Sequence, residues 1–282
     1  MRQALENYES YVNGPDRHAL GRFIVPFTRL SELEELGKDL LPRGKRVAPW
    51  RLSVLVADDV RQAGDEILRF NRKHASTGKS GRAVIDVAEL KASTADAIAQ
   101  QEAEFPDSLT AYFEIPLAGD VTTLVKAIGR AGARAKMRTG GVTQATFPPV
   151  QEIVDFVLAC HRERVPFKAT AGLHHPLRGE RRLTYEPDSP KGYMYGFLNV
   201  FLAAVVIHGG ETEDMALAIL EETDPSAFVF ENAAISWRDR RISVDQLTKA
   251  RKEFAIAFGS CSFREPVDEL AQLTRQARAI NK

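Results

Sequence analysis

The chain has 282 residues, 44% hydrophobic and 27% charged, and its 38 lysines and arginines equal its 38 aspartates and glutamates. This composition is typical of a globular protein with a substantial buried core. A net charge of zero gives no general attraction to nucleic acid or to an anionic membrane, so we expect neither as a partner. The two cysteines, Cys160 and Cys261, have no metal-site or disulfide-framework spacing, and the first residues contain no apolar secretory signal. Both features favour a reduced, cytoplasmic setting.

Short apolar segments recur along the chain, and each is followed by an amphipathic helical pattern. Buried parallel strands read as near-continuous apolar runs, so these segments predict strands of a parallel sheet. In chain order the eight predicted strands are 23–27, 50–57, 82–90, 109–117, 134–141, 166–173, 226–232 and 255–263. Ser31, Asp120 and Ser243 stand where three of the following helices begin, which predicts that they cap those helices.

Eight strand–helix units in about 250 residues predict an α/β fold, a single (β/α)₈ TIM-type barrel that spans residues 1–282 as one domain. The alternative is a doubly wound open sheet, which usually has a glycine-rich turn after its first strand. The sequence after Phe27 is TRLSELEE, without a glycine, and this favours the barrel. The TGKS at 77–80 lacks the upstream glycine of a phosphate-binding P-loop and follows a helix, so it predicts an ordinary turn.

Two segments depart from the regular alternation. A long polar connection, 174–191, follows the sixth predicted strand, and SWRDRRI, 236–242, interrupts the unit after the seventh. Both lie on the C-terminal side of a strand, where barrel enzymes build their sites. The apolar segment 196–208 is too short to span a bilayer and predicts a core helix or a homo-oligomer interface.

Polar residues collect at the C-terminal ends of the predicted strands. Because side chains alternate along a strand, Lys136 and Arg138 share one face, and Lys168 and Thr170 share one face. Buried cations need accompanying anions, and Glu114 and Asp86 on earlier strands are candidates. Two interpretations follow: an internal layer of ion pairs, or a basic cluster at the barrel mouth that receives an anionic small-molecule substrate.

Further residues at the strand ends fit the second interpretation. Glycines allow a ligand to approach the backbone closely, and small residues before a helix expose N–H groups that bind phosphate. The candidates for substrate binding are Arg138, Gly140, Gly141, Thr170, Asn232, Gly259 and Ser260.

His174 and His175 are candidates for acid–base catalysis or, with Glu114 or Asp86, for a divalent metal site. We predict no other cofactor. Cys261 is a candidate nucleophile, although a single cysteine at a strand end is more often buried packing.

Two strand ends resemble class I aldolases of the deoxyribose-phosphate type. FKATAG resembles the family's lysine-threonine-x-threonine-glycine strand, and AKMRTGG resembles its lysine-x-x-glycine-glycine strand. The resemblance implies that Lys168 is the Schiff-base lysine and that Lys136 is its cationic neighbour, which favours a nucleophilic amine. RTGG, FKATAGLHHP and FGSCSF together also look like a family of uncharacterised bacterial barrel proteins, which implies the fold alone.

These observations predict a small-molecule enzyme with lyase or aldolase-like chemistry on an anionic carbonyl or phosphorylated metabolite. The predicted catalytic residues are Lys168, Lys136, His174, His175 and Glu114. The alternatives are a metal-assisted acid–base enzyme and a non-catalytic barrel that binds a ligand.

Overall fold

The computed structural model describes residues 1–44, 46–57, 59–75 and 81–280, so the TGKS at 77–80 lies outside the described residues. The chain is an α/β protein in which seven parallel strands alternate with helices. It divides into two compact units: one comprises Met1–Glu114 and Ala131–Ala133, and the other comprises Ile115–Arg130 and the chain from Arg134 onward. None of the helices in the described ranges is long and apolar enough to cross a bilayer.

The first unit contains four parallel strands in the order β1-β2-β3-β4. The strands are β1 (Phe23–Pro26), β2 (Trp50–Leu55), β3 (Ala83–Lys91) and β4 (Thr110–Glu114), and the helices are α1 (Arg2–Asn13), α2 (Leu30–Leu36), α3 (Val60–Ala75) and α4 (Ala95–Glu104). Tyr8 of α1 packs edge-on against Phe23 and Trp50, with ring centroids 5.4 and 5.1 Å away. Such contacts attach the N-terminal helix to the first two strands.

The second unit contains three further parallel strands in the order β5-β6-β12. Its elements are α5 (Val121–Arg130), β5 (Arg134–Arg138), α6 (Val150–Glu163), β6 (Phe167–Thr170), β7 (Gly179–Arg182), β8 (Lys191–Met194), α7 (Phe197–His208), α8 (Glu213–Glu221), β9 (Phe228–Phe230), β10 (Ala234–Trp237), β11 (Arg240–Ser243), α9 (Val244–Glu253), β12 (Ala255–Gly259) and α10 (Arg264–Ile280). The apolar segment at 196–208 forms α7, whose residues are mostly buried.

The predicted seventh strand is not part of the parallel set. Its residues 228–230 form β9, which pairs antiparallel with β10, and β10 pairs antiparallel with β11. SWRDRRI is therefore the hairpin of this three-stranded sheet, and the prediction of eight parallel strands was wrong at this point. The polar connection after β6 also contains a hairpin, because β7 and β8 pair antiparallel.

Two of the three predicted helix caps are confirmed. Ser243 forms a capping box with Gln246 at the start of α9, and the Asp120 carboxylate accepts a hydrogen bond from the Thr123 N–H at 3.0 Å. The prediction that Ser31 caps a helix was wrong, because α2 begins one residue earlier, at Leu30. The residue at the cap position is Arg29, whose side chain makes no capping hydrogen bond.

Candidate functional site

The strands β5 and β6 carry the basic residues predicted for the site, and β12 is their neighbour in the sheet. In the sheet register Lys136 stands directly beside Lys168, and Arg138 stands beside Thr170. On the other side of β6, Lys168 pairs with Ala257 and Thr170 pairs with Gly259. Residues in direct register on neighbouring parallel strands point to the same face. These side chains therefore form two short rows on one face of the three strands.

The opposite face of the same strands packs against helices. Met137 and Ala169, each 0% exposed, alternate with the polar residues. Phe167 packs edge-on against Phe156 of α6, with centroids 5.5 Å apart, and Phe258 stacks on Phe197 of α7 at 5.1 Å. This apolar packing fixes which face the lysines occupy.

The two lysines and Arg138 differ in exposure. The side chains of Lys136 and Lys168 are buried, at 5% and 6% exposure, and each interacts with other groups of the chain. Arg138 and Ala257 are exposed. Ala257 of β12 stands beside Lys168 and adds no polar side chain there. Arg138 is accessible from solvent.

A turn follows β6, and Thr139, the residue after β5, holds this turn by two hydrogen bonds. The Thr139 N–H donates to the Thr170 carbonyl at 2.9 Å, and its hydroxyl donates to the Ala171 carbonyl at 2.6 Å. Ala171 and Gly172 both have positive φ, 67° and 75°. Left-handed backbone is unfavourable for alanine, so the surrounding contacts must hold it. The turn directs the chain away from the strand and into the two histidines.

Gly140 and Gly141 have a packing role that the sequence did not indicate. A Cβ atom on Gly140 would lie 2.4 Å from the ring of Phe147, and one on Gly141 would lie 2.5 Å from the Thr146 hydroxyl. A larger residue at either position would clash with these side chains. Close packing within the protein therefore accounts for both glycines, whether or not a ligand binds nearby.

His174 and His175 both contact acidic residues of α10. His174 Nδ1 lies 3.0 Å from Glu265 Oε2, and His175 Nδ1 lies 2.9 Å from both carboxylate oxygens of Glu269. The adjacent rings diverge, with an angle of 51° between their planes, so each faces its own carboxylate. Residues four apart lie on one face of a helix, and α10 therefore presents one acceptor to each histidine.

Cys261 is exposed and lies next to His174, contrary to the expectation of a buried packing role. Its Sγ is 3.7 Å from His174 Nε2 and 3.8 Å from Nδ1. The hydroxyl of Tyr185, which belongs to the connection between β7 and β8, donates to Glu265 Oε2 at 2.8 Å and lies 3.7 Å from Cys261 Sγ. Four ionisable side chains from three separate segments thus meet at the end of β12.

Their mutual contacts shift the acid–base properties of the group. The hydrogen bond with Cys261 raises the pKa of His174, and Glu265 raises it further. The hydrogen bond with His174 lowers the pKa of Cys261, and the contact with Tyr185 adds to this effect. Burial raises the pKa of Tyr185, as do its hydrogen bonds with Cys261 and Glu265. These directions favour a thiolate beside an imidazolium.

The turn between β12 and α10 satisfies part of its own backbone. The Ser262 hydroxyl accepts the Glu265 N–H at 3.1 Å, and the Ser260 hydroxyl accepts the Ser262 N–H at 3.3 Å. The Glu265 side chain also adds a negative charge in the first turn of the helix. Phosphate binding by Gly259 and Ser260 stays a prediction, and these contacts leave fewer donors for it.

Glu114, Asp86 and Asn232 were also predicted for the site. Glu114 ends β4 in the first unit, where the Lys91 ammonium lies 3.6 Å from its carboxylate. Asp86, also in the first unit, accepts hydrogen bonds from Arg22 and Arg51. Asn232 is exposed in the turn between β9 and β10, so it does not end a parallel strand.

One group in the described part of the chain has the spacing of a metal site. His175, Glu265 and Glu269 offer ligand atoms that all lie within 4.8 Å of one another. His175 hydrogen-bonds to Glu269, and His174 and Tyr185 hydrogen-bond to Glu265.

Sequence reasoning missed Glu265, Glu269 and Tyr185, and it undervalued Cys261. The carboxylates were visible as a pair four apart in the first turns of a helix. Nothing in the local pattern indicated their partners, because those partners lie about 90 residues earlier, as the separations of 91 and 94 residues show.

Comparison with protein-family models, with curated proteins and with solved structures gives no significant match.

Proposed function

We propose that this protein is a small-molecule enzyme with lyase or aldolase-like chemistry, and that it acts on an anionic carbonyl compound at the C-terminal ends of β5, β6 and β12. Lys168 is the amine nucleophile, Lys136 is its cationic neighbour, and Arg138 binds the anionic group. His174 or His175 transfers protons, and Gly259 and Ser260 contact a phosphate where the substrate carries one. The alternation of seven parallel strands with helices supports a scaffold related to the (β/α)₈ barrel.

The observation that carries this proposal is the direct register of Lys136 with Lys168 on neighbouring strands, both of them buried. Neighbouring strands lie about 4.8 Å apart, so the two stems leave the sheet side by side. A cation next to an amine favours the neutral amine, which is the form that attacks a carbonyl. The exposed guanidinium of Arg138, one row further on, is suited to a carboxylate or phosphate. The resemblance of both strand ends to class I aldolases agrees with these roles.

Trapping with borohydride tests the proposal. The protein is incubated with a panel of keto acids and aldehydes, reduced, and analysed by intact mass and peptide mapping. We expect one adduct, on Lys168, which Lys168→Arg abolishes. Lys126→Arg is the matched control, because Lys126 is exposed on α5 of the same unit. An adduct on Lys136 would exchange the roles of the two lysines, and labelling of exposed lysines alone would contradict the proposal.

A metal-assisted acid–base enzyme is the second candidate, and the spacing of His175, Glu265 and Glu269 favours it. Elemental analysis of the purified protein, with calorimetric titration of Zn²⁺ and Mn²⁺ into a chelator-treated sample, tests this candidate. Stoichiometric binding that Glu269→Gln removes would support it, and a metal-free protein that binds neither ion would exclude it. If neither trapping nor titration gives a signal, the lysines belong to an internal ion-pair layer of a binding protein.

A further inference from the structure

We propose that Cys261, His174 and Glu265 form a thiol-dependent acyl-transfer site that takes activated acyl groups, esters or thioesters, of small anionic acids. This inference goes beyond the proposed amine chemistry, since it concerns a different nucleophile at a different strand end. It stands whether or not Lys168 forms an imine.

The three side chains have the arrangement of a nucleophile, a base and a group that orients the base. Glu265 Oε2 lies 3.0 Å from His174 Nδ1, which sets the proton on that nitrogen. Nε2 is then the nitrogen that can accept the thiol proton, and Cys261 Sγ lies 3.7 Å from it and 3.8 Å from Nδ1. Nucleophilic catalysis by cysteine and serine uses this division of roles between the two imidazole nitrogens. The exposed Cys261 leaves its sulfur open to a substrate on the side away from the histidine.

Tyr185 acts as a positioning residue. Its hydroxyl donates to the same Glu265 oxygen at 2.8 Å and lies 3.4 Å from His174 Nδ1, while most of its ring is exposed to solvent at 72%. The hydrogen bond from Tyr185 holds Glu265 in the orientation that His174 requires.

Cys261 lies just before the N-terminus of α10. Ser262 caps the helix by accepting the Glu265 N–H, so Cys261 immediately precedes the capping residue. This position brings the sulfur to the end of the helix that carries Glu265.

The reaction balances without a redox partner. The Cys261 sulfur bonds to the acyl carbon, and His174 holds the thiol proton. The bond from the acyl carbon to the leaving oxygen or sulfur then breaks, and His174 gives the proton to that leaving group. In the second half, water or another nucleophile bonds to the acyl carbon and its proton passes to His174. The carbon–sulfur bond breaks, and the proton returns to Cys261.

The row that contains Arg138 supplies the preference for an anionic acid. Arg138, Thr170 and Gly259 are in register across three neighbouring strands, so the Cα atoms of Arg138 and Gly259 are about 10 Å apart. Cys261 follows Gly259 by two residues. A substrate acid with a second anionic group, a carboxylate or a phosphate, would direct that group toward Arg138 while its acyl carbon meets Cys261.

Acylation by 4-nitrophenyl acetate tests the site in the full chain. We expect a burst of nitrophenolate and a single acetyl group on Cys261, formed about 10²-fold or more faster than on glutathione at the same pH. Cys261→Ser should lose the burst, His174→Gln should slow acylation at least 10²-fold, and Tyr185→Phe should slow it several-fold. Cys160→Ala is the matched control, because Cys160 is fully buried in α6. The mono-4-nitrophenyl ester of succinic acid should acylate faster than the acetate, and Arg138→Gln should remove that advantage.

Two results would overturn the inference: acylation of Cys261 no faster than that of glutathione, or an unchanged rate in His174→Gln. Peptide mapping of the wild-type protein identifies the modified residue without any variant, so a variant that fails to fold does not block the test. Peptide mapping also separates the two chemistries, because an acetyl thioester maps to Cys261 and a borohydride-reduced adduct maps to Lys168.

Discussion

Replacing Asn199 with alanine should lower the free energy of unfolding of the second unit by about 3 kcal/mol. Asn199 is 0% exposed in α7, and its amide N–H groups donate to the carbonyls of Ile219 and Glu222 at 2.7 and 2.8 Å. Its side-chain carbonyl accepts the Arg178 N–H at 2.8 Å. The substitution removes three hydrogen bonds at about 1 kcal/mol each and leaves buried backbone groups without this partner.

Urea denaturation followed by tryptophan fluorescence measures this loss. Of the two tryptophans, Trp50 belongs to the first unit and Trp237 to the second, so a Trp50→Phe background reports on the second unit alone. Asn232→Ala is the matched control, because Asn232 is exposed in the turn between β9 and β10 of the same unit. A loss below about 1 kcal/mol for Asn199→Ala would refute the reasoning that these three bonds fasten α7 to α8 and to the segment after the histidines.

Three other substitutions or modifications have expected outcomes. Burial lowers the pKa of His208 from 6.5, and neither buried ring nitrogen has a hydrogen-bond partner among the described residues. His208→Phe should therefore stabilise the second unit by about 1 kcal/mol at pH 8. The gain should grow below pH 6.5, because there the unfolded wild-type chain takes up a proton that the folded chain resists. Urea midpoints at pH 8 and below pH 6.5 measure this gain, and a gain that does not change with pH would contradict the reasoning. Iodoacetamide should alkylate the exposed Cys261 in the native protein. Cys160 is buried and burial raises its pKa, so it should react only after unfolding; peptide mapping measures both. Gly140→Ala should cost about 1–3 kcal/mol, because its Cβ would lie 2.4 Å from the Phe147 ring; an unchanged Tm would contradict this packing role.

The parallel strands could be predicted because burial on both faces produces continuous apolar runs. Seven of the eight predicted runs are parallel strands, and most of their ends agree with the structure within one or two residues. The differences are larger at the C-terminal ends of four runs, where the predictions extended into the following turns: 109–117, 134–141, 166–173 and 255–263. The seventh run, 226–232, which contains β9, shows the limit of this reasoning. Three apolar residues make a buried strand in either kind of sheet, and the antiparallel partner comes from the hairpin that follows. The residues WRDRR, 237–241, contain the turn between β10 and β11. Because β9 pairs with this hairpin, it belongs to the antiparallel sheet.

The candidate site could be predicted in part, for a similar reason. Alternation along β5 and β6 is a local property, so it correctly placed Lys136 with Arg138 and Lys168 with Thr170 on shared faces. The contact of Cys261 with His174 joins residues 87 apart, and it depends on how the turn after β6 meets the start of α10. No periodicity contains that information. The general type of residue at the strand ends was therefore predictable, whereas their partners were not.

The central claim is that the ends of β5, β6 and β12 form one site for an anionic carbonyl compound. A crystal structure of the protein after borohydride reduction in the presence of a keto acid tests this claim most directly. We expect continuous density from the Lys168 amine to the substrate carbon, with the substrate carboxylate within hydrogen-bond distance of the Arg138 guanidinium. Density on exposed lysines alone, or a carboxylate directed into solvent away from Arg138, would contradict it.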